Sequence, residues 1–166
     1  MATKGIFEQL TRDHRDVAIL IKKIEKADDE ETCMRLFAQV RTALLAHGQA
    51  EDEVLYAQLE DEAETEEMIA QARDQHQEVE DLLEELGEIE DGYEWMERFD
   101  ELKSSVEEHV KEEESELFPR ARKLLDREVQ LQLAATFEDI KQDEIEGLAA
   151  DEGGAGALEG IEEVRR

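Results

Sequence analysis

An offset of 62 residues lays one part of this chain over another: His14 falls on His76, His47 on His109 and Glu51 on Glu113. The two histidines of each half therefore stand 33 positions apart. Apolar positions obey the same offset, pairing Val17 with Val79, Leu20 with Leu82, Ile24 with Leu86, Phe37 with Phe99, Val40 with Leu102, Leu44 with Val106 and Leu55 with Leu117. A repeat of this length, carrying ionisable and apolar positions together, reads as one helical hairpin written twice.

Hydrophobic periodicity places the helices. The first is expected from about Gly5 to Lys26, with Leu10, Val17, Leu20, Ile21 and Ile24 on one stripe. Asp28 and Asp29 break it, and a second, unusually long helix runs from about Glu30 to Glu60. A third spans about Glu64 to Leu86 and a fourth Tyr93 to Leu117, where Pro119 is expected to bend or end it because its ring removes an amide donor. A fifth helix follows, about Asp126 to Glu146. One proline in 166 residues, 5% aromatics and 40% charged residues agree with an all-α protein of one domain.

From Gly147 the composition turns to Ala, Gly and acidic residues, including Gly153-Gly154-Ala155-Gly156, and reads as a flexible tail. The expected organisation is thus a domain over 1–146 and a tail over 147–166. Leu158, Ile161 and Val164 ahead of Arg165-Arg166 resemble the cargo-loading peptides of encapsulin shells, so the tail is a candidate docking peptide for a shell or partner protein.

Charge and cysteine usage exclude several function classes. Forty-eight acidic residues against 19 basic ones give a formal charge of -29, which repels nucleic acid phosphates and anionic membrane surfaces alike. No apolar run approaches the length of a membrane span, and the N-terminus lacks a signal-peptide pattern, so a cytoplasmic protein is expected. The single cysteine, Cys33, offers no internal disulfide and no thiolate metal site, and reads as a small buried apolar residue.

The duplicated histidines and glutamates carry the chemistry. In a hairpin, residues equally far from the turn come to the same height at about 1.5 Å of rise per residue, which puts His14 level with His47 and His76 level with His109. A glutamate four positions after a histidine lies on the same helix face, so His47 and Glu51, and likewise His109 and Glu113, can reach one ion. The motif alone is common in so acidic a chain, and His76 with Glu80 makes a third example; Glu80, however, pairs with Ala18 across the repeat, whereas Glu51 pairs with Glu113. Six ligands, His14, His47, Glu51, His76, His109 and Glu113, suit two divalent ions bridged by the glutamates, and imidazole with carboxylate fits iron, manganese or zinc. The Glu-x-x-His pattern of ferritin-like carboxylate proteins is absent, because Thr11, Leu44, Arg73 and Val106 precede the four histidines by three. Phe37, Tyr56, Phe99 and Phe118 read as core at helical spacing.

Asp13-His14, His47-Gly-Gln-Ala-Glu51 leading into Glu53-Val-Leu-Tyr56, His76, and His109-Val-Lys-Glu-Glu113 leading into Glu116-Leu-Phe-Pro119 resemble the hemerythrin-like HHE cation-binding domain over about residues 5 to 145. The resemblance implies an antiparallel up-down four-helix bundle, here with a fifth C-terminal helix and a flexible tail, a non-haem centre of two iron ions, and chemistry with dioxygen, peroxide or nitric oxide. Dioxygen-carrying hemerythrins have five histidines and an aspartate in a His-x-x-x-x-Asp motif. This chain has four histidines in all, and its set is more similar to that of di-iron proteins of iron-sulfur cluster repair.

Three function classes follow: a di-iron protein that binds, senses or detoxifies one of those small oxidants; a di-iron enzyme or iron donor; and an acidic helical interaction module without metal.

Overall fold

The structure, a computed structural model, describes residues 4–152; the candidate docking peptide and the Gly153–Gly156 segment lie outside the described residues. Within them the chain is all-helical, with five long helices, as expected of a helical bundle followed by a C-terminal helix. These are α1 (Ile6–Glu25), α2 (Glu30–Glu51), α4 (Glu66–Glu88), α5 (Gly92–Glu112) and α7 (Arg127–Glu152); the short helices α3 (Ala57–Leu59) and α6 (Phe118–Leu124) complete the order.

The aspartate-rich breaks act as caps. Asp29 accepts the Thr32 backbone N–H at 2.6 Å and the Thr32 hydroxyl at 3.0 Å, which satisfies an orphan donor at the start of α2. That backbone bond, with the hydroxyl, holds the Asp29 carboxyl below its usual range. Asp91 does the same for α5 through the Tyr93 amide at 2.8 Å. At the α4–α5 turn the Trp95 indole donates to the Leu86 carbonyl at 3.0 Å, so one large side chain both packs edge-on against Phe99 and pairs a last-turn carbonyl of α4. Thr65, which immediately precedes α4, makes no side-chain cap to it and directs its hydroxyl back to the Leu59 carbonyl at 2.8 Å.

Two compact units share the chain. Among the described residues the first takes 4–55 and 127–152; the second is Tyr56–Asp126. In the first, α1, α2 and α7 pack on one another around Phe7, Leu10, Leu20, Val40, Ala46 and Phe137, all fully buried or nearly so. In the second, α4 packs against α5, burying Ile69, Leu82, Leu83, Phe99 and Leu102. The two hairpins inferred from the repeat are thus real pairs, α1 with α2 and α4 with α5.

Two segments depart from the expected α geometry. Residues Asp52–Tyr56 and Glu113–Leu117 are π-helical, and in the second the Phe118 amide reaches back five residues to the Glu113 carbonyl. A π turn inserts one residue into the ladder and re-aims every side chain after it. It also carries the chain through Pro119: the helix does not end at Leu117 but continues as α6, with the proline in its first turn, where no amide donor is required. At the far end α7 runs on past Gly147 to Glu152. Leu148 packs with Ala43 against Ala46 and Ile145, and that apolar contact outweighs the cost of one glycine.

Cys33 is a free thiol and only half-buried, in the first turn of α2, rather than a core residue. Desolvation, aided by Glu30 and Asp29, raises its pKa, so it rests as the neutral thiol.

Candidate metal centre

Each unit carries one His-His-Glu triad. In the first, His14 comes from α1, and His47 and Glu51 come from successive turns of α2; their ligand atoms lie within 4.8 Å of one another. The imidazole rings of His14 and His47 are 5.1 Å apart between centroids, and His47 Nε2 stands 3.5 Å from Glu51 Oε1 without a hydrogen-bond partner. Glu51 is fully buried and the two histidines nearly so. A carboxylate removed from water beside two imidazoles is costly unless a cation completes it.

Behind this triad stands a chain of polar groups that sequence reasoning missed. His47 Nδ1 lies 2.9 Å from Asp13 Oδ2, and Lys141 of α7 donates to both oxygens of Asp13, at 2.9 and 3.2 Å. Asp13 and Lys141 are 6% and 2% exposed, so this is an interior ion pair. Burial alone would raise the Asp13 pKa, but the hydrogen bond and charge of His47 together with Lys141 hold it well below the ordinary range. Burial would likewise depress His47; the charge of Glu51 and the bond to Asp13 reverse that and push it up to about 10. Phe137 of α7 packs edge-on against the His47 ring, with Lys141 over its own face at 5.5 Å.

The second triad repeats the plan with different neighbours. His76 of α4 and His109 of α5 bring their Nε2 atoms to 3.0 Å, and His109 Nε2 lies 3.3 Å from Glu113 Oε2, where α5 gives way to the π turn. His76, His109 and Glu113 offer ligand atoms within 4.8 Å of one another. The Tyr56 hydroxyl donates to Glu113 and sits 3.3 Å from His76 Nε2, its ring stacked on the His76 imidazole. His109 Nδ1 is met by Gln75 Oε1 at 2.6 Å, and the Gln75 amide donates to Glu112 at 2.7 Å, which fixes the amide's orientation. Beside His109 and Glu113 lies a cavity of about 30 Å³, also lined by Met68, Ala72, Gln75 and Leu117. That is room for a water or a diatomic molecule.

In both halves one histidine uses Nδ1 for a supporting bond and turns Nε2 toward the other ligands, the arrangement that fixes tautomer and aim for metal binding. The donor set, two imidazoles and one carboxylate in a buried setting, fits a divalent transition metal.

The profile of the Hemerythrin HHE cation binding domain matches residues 5–121. The chain belongs to this family. Among curated proteins, this hemerythrin-like chain is similar to a "DNA nickase" of Nostoc sp. (strain PCC 7120), at 32% identity over 153 residues. The match takes in 92% of this chain and 43% of that relative, so the hemerythrin-like chain spans less than half of the relative's length. No solved structure matches significantly. Among the described residues, no helix of this hemerythrin-like chain is long and apolar enough to cross a membrane.

Of the supporting residues, Asp13 and Gln75 carried a signal in the sequence, since the 62-residue offset pairs them just as it pairs the histidines that follow them. Tyr56 likewise pairs with Phe118, the one place where the duplicated aromatics differ by a hydroxyl. Lys141 lies outside the repeat and carried none.

Proposed function

We propose that each triad holds one non-haem iron, through His14, His47 and Glu51 in one half and His76, His109 and Glu113 in the other, and that the protein binds, senses or detoxifies dioxygen, peroxide or nitric oxide in the cytoplasm. The observation that carries this reading is the duplicated His-His-Glu cluster, buried apart from the half-buried His76, with ligand atoms within 4.8 Å in each unit. Manganese or zinc would suit the same donors.

Bound iron supplies open coordination positions and one-electron redox steps to a small oxidant. The chain's own residues do the rest. Asp13 and Gln75 hold His47 and His109 with Nε2 aimed at the cluster. The Tyr56 hydroxyl donates a hydrogen bond to Glu113 and so fixes one carboxylate oxygen. The small cavity beside His109 and Glu113 supports a ligand of two or three atoms rather than an organic substrate.

Metal analysis and a visible spectrum of protein from iron-replete cells test the reading. Two equivalents of iron and an absorbance change on adding peroxide or nitric oxide support it; metal-free protein that is silent to both oxidants overturns it. The nicking named for the Nostoc relative belongs to a much longer protein, and a formal charge of -29 opposes DNA contact by this chain. Incubation with supercoiled plasmid, with and without iron, is expected to leave the plasmid intact.

A further inference from the structure

The repeat duplicates not only the ligands but also the group behind one histidine of each half, and it places different chemistry there. Asp13 Oδ2 meets His47 Nδ1 at 2.9 Å, whereas the equivalent position, Gln75, meets His109 Nδ1 with an amide oxygen at 2.6 Å. Lys141 donates to both oxygens of Asp13 and is itself shared with Glu138 at 3.5 Å. Behind His109 a carboxylate stands one bond further away: the Gln75 amide nitrogen donates to Glu112, which is only partly buried.

A hydrogen bond to an ionised acceptor is roughly twice as strong as one to a neutral acceptor, and a carboxylate behind a ligating histidine makes its free nitrogen the better donor to a metal. We propose that the two triads are unequal metal sites: the Asp13-backed triad of His14, His47 and Glu51 binds its ion first and more tightly, and the Gln75-backed triad of His76, His109 and Glu113 is the labile one. The small cavity lies against His109 and Glu113, so the labile ion is also the one with space beside it for an incoming ligand. Lys141 acts as a positioning residue, because its bond ties α7 to the carboxylate that stands behind His47.

This rests on the metal-binding reading above, and the test separates the two. Metal-free protein is titrated with Zn²⁺ while the imidazole ring signals of the four histidines are followed by NMR. The first equivalent is expected to move His14 and His47, the second His76 and His109, with dissociation constants at least tenfold apart. Asp13→Asn is expected to weaken the first step by about 10–100-fold and leave the second unchanged. If no signal moves and no zinc binds, the metal-binding reading fails. If zinc binds but all four histidines shift together, or His76 and His109 shift first, the metal-binding reading stands and the inequality is overturned. Because the wild-type titration assigns the order by itself, the outcome does not depend on the variant folding.

Discussion

Asp13 Oδ2 and His47 Nδ1 stand 2.9 Å apart inside the first unit. That pair links the fold to the candidate metal centre, because the same carboxylate that aims the His47 ring also anchors α7 through Lys141. Its ionisation has consequences for stability that can be measured without metal.

Asp13 is depressed from its ordinary 3.8, so its stabilisation is present above that value and lost as pH falls through its lower folded value. His47 is raised from 6.5 to about 10, so its stabilisation is complete below 6.5 and lost as pH rises through about 10. In the metal-free protein the pair therefore contributes fully between pH 3.8 and 6.5. The difference in melting temperature between wild type and Asp13→Asn is expected to be largest there and to shrink toward either extreme. A difference that stays flat from pH 3 to 10 would refute this account.

Removing one partner of a buried ion pair leaves the other uncompensated. Lys141→Met is expected to cost about 3 kcal/mol by urea denaturation, and Asp13→Asn a similar amount. The double variant is expected to cost clearly less than their sum, since neither charge is then stranded. Additive losses would show that the two groups do not act as a pair.

Metal binding to the folded state alone raises its stability by about 2.7 kcal/mol when free metal is 100 times the dissociation constant. Thermal melts with ferrous iron under anaerobic conditions should show that rise in wild type. His47→Ala combined with His109→Ala should abolish it while both proteins retain helical circular dichroism. An equal rise in the double variant would place metal binding elsewhere.

Tyr56→Phe removes a hydroxyl that donates to the buried Glu113 carboxylate, with no change of shape. The expected loss is about 1–3 kcal/mol, the cost of an unmet bond to a charged group. The converse change, Phe118→Tyr, offers no gain, because Phe118 is 1% exposed and packs as core. Urea midpoints of the two variants check both statements.

How much of this was legible beforehand depends on whether the signal was repeated along the chain. The six candidate ligands were legible because His14, His47 and Glu51 recur at a fixed offset in His76, His109 and Glu113, and because a four-residue step on an α-helix returns to the same face. The hairpins were legible for the same reason, since apolar stripes specify which faces meet. The π turns at Asp52–Tyr56 and Glu113–Leu117 were not, because each shifts the apolar stripe by a single residue, which a short run of apolar positions does not distinguish from an unbroken α-helix.

The sequence by itself determined an all-helical chain with two equivalent His-His-Glu triads. Tertiary structure alone decided that the halves differ in what stands behind them. The sequence shows that Asp13 stands where its repeat partner is Gln75, but not that each backs a histidine of the neighbouring helix, nor that Lys141 joins Asp13. Only when α7 packs against α1 and α2 does Lys141 enter the interior. Once water is excluded there, a carboxylate must keep its charge beside an ammonium or lose it, and that is a property of packing, which no local pattern encodes.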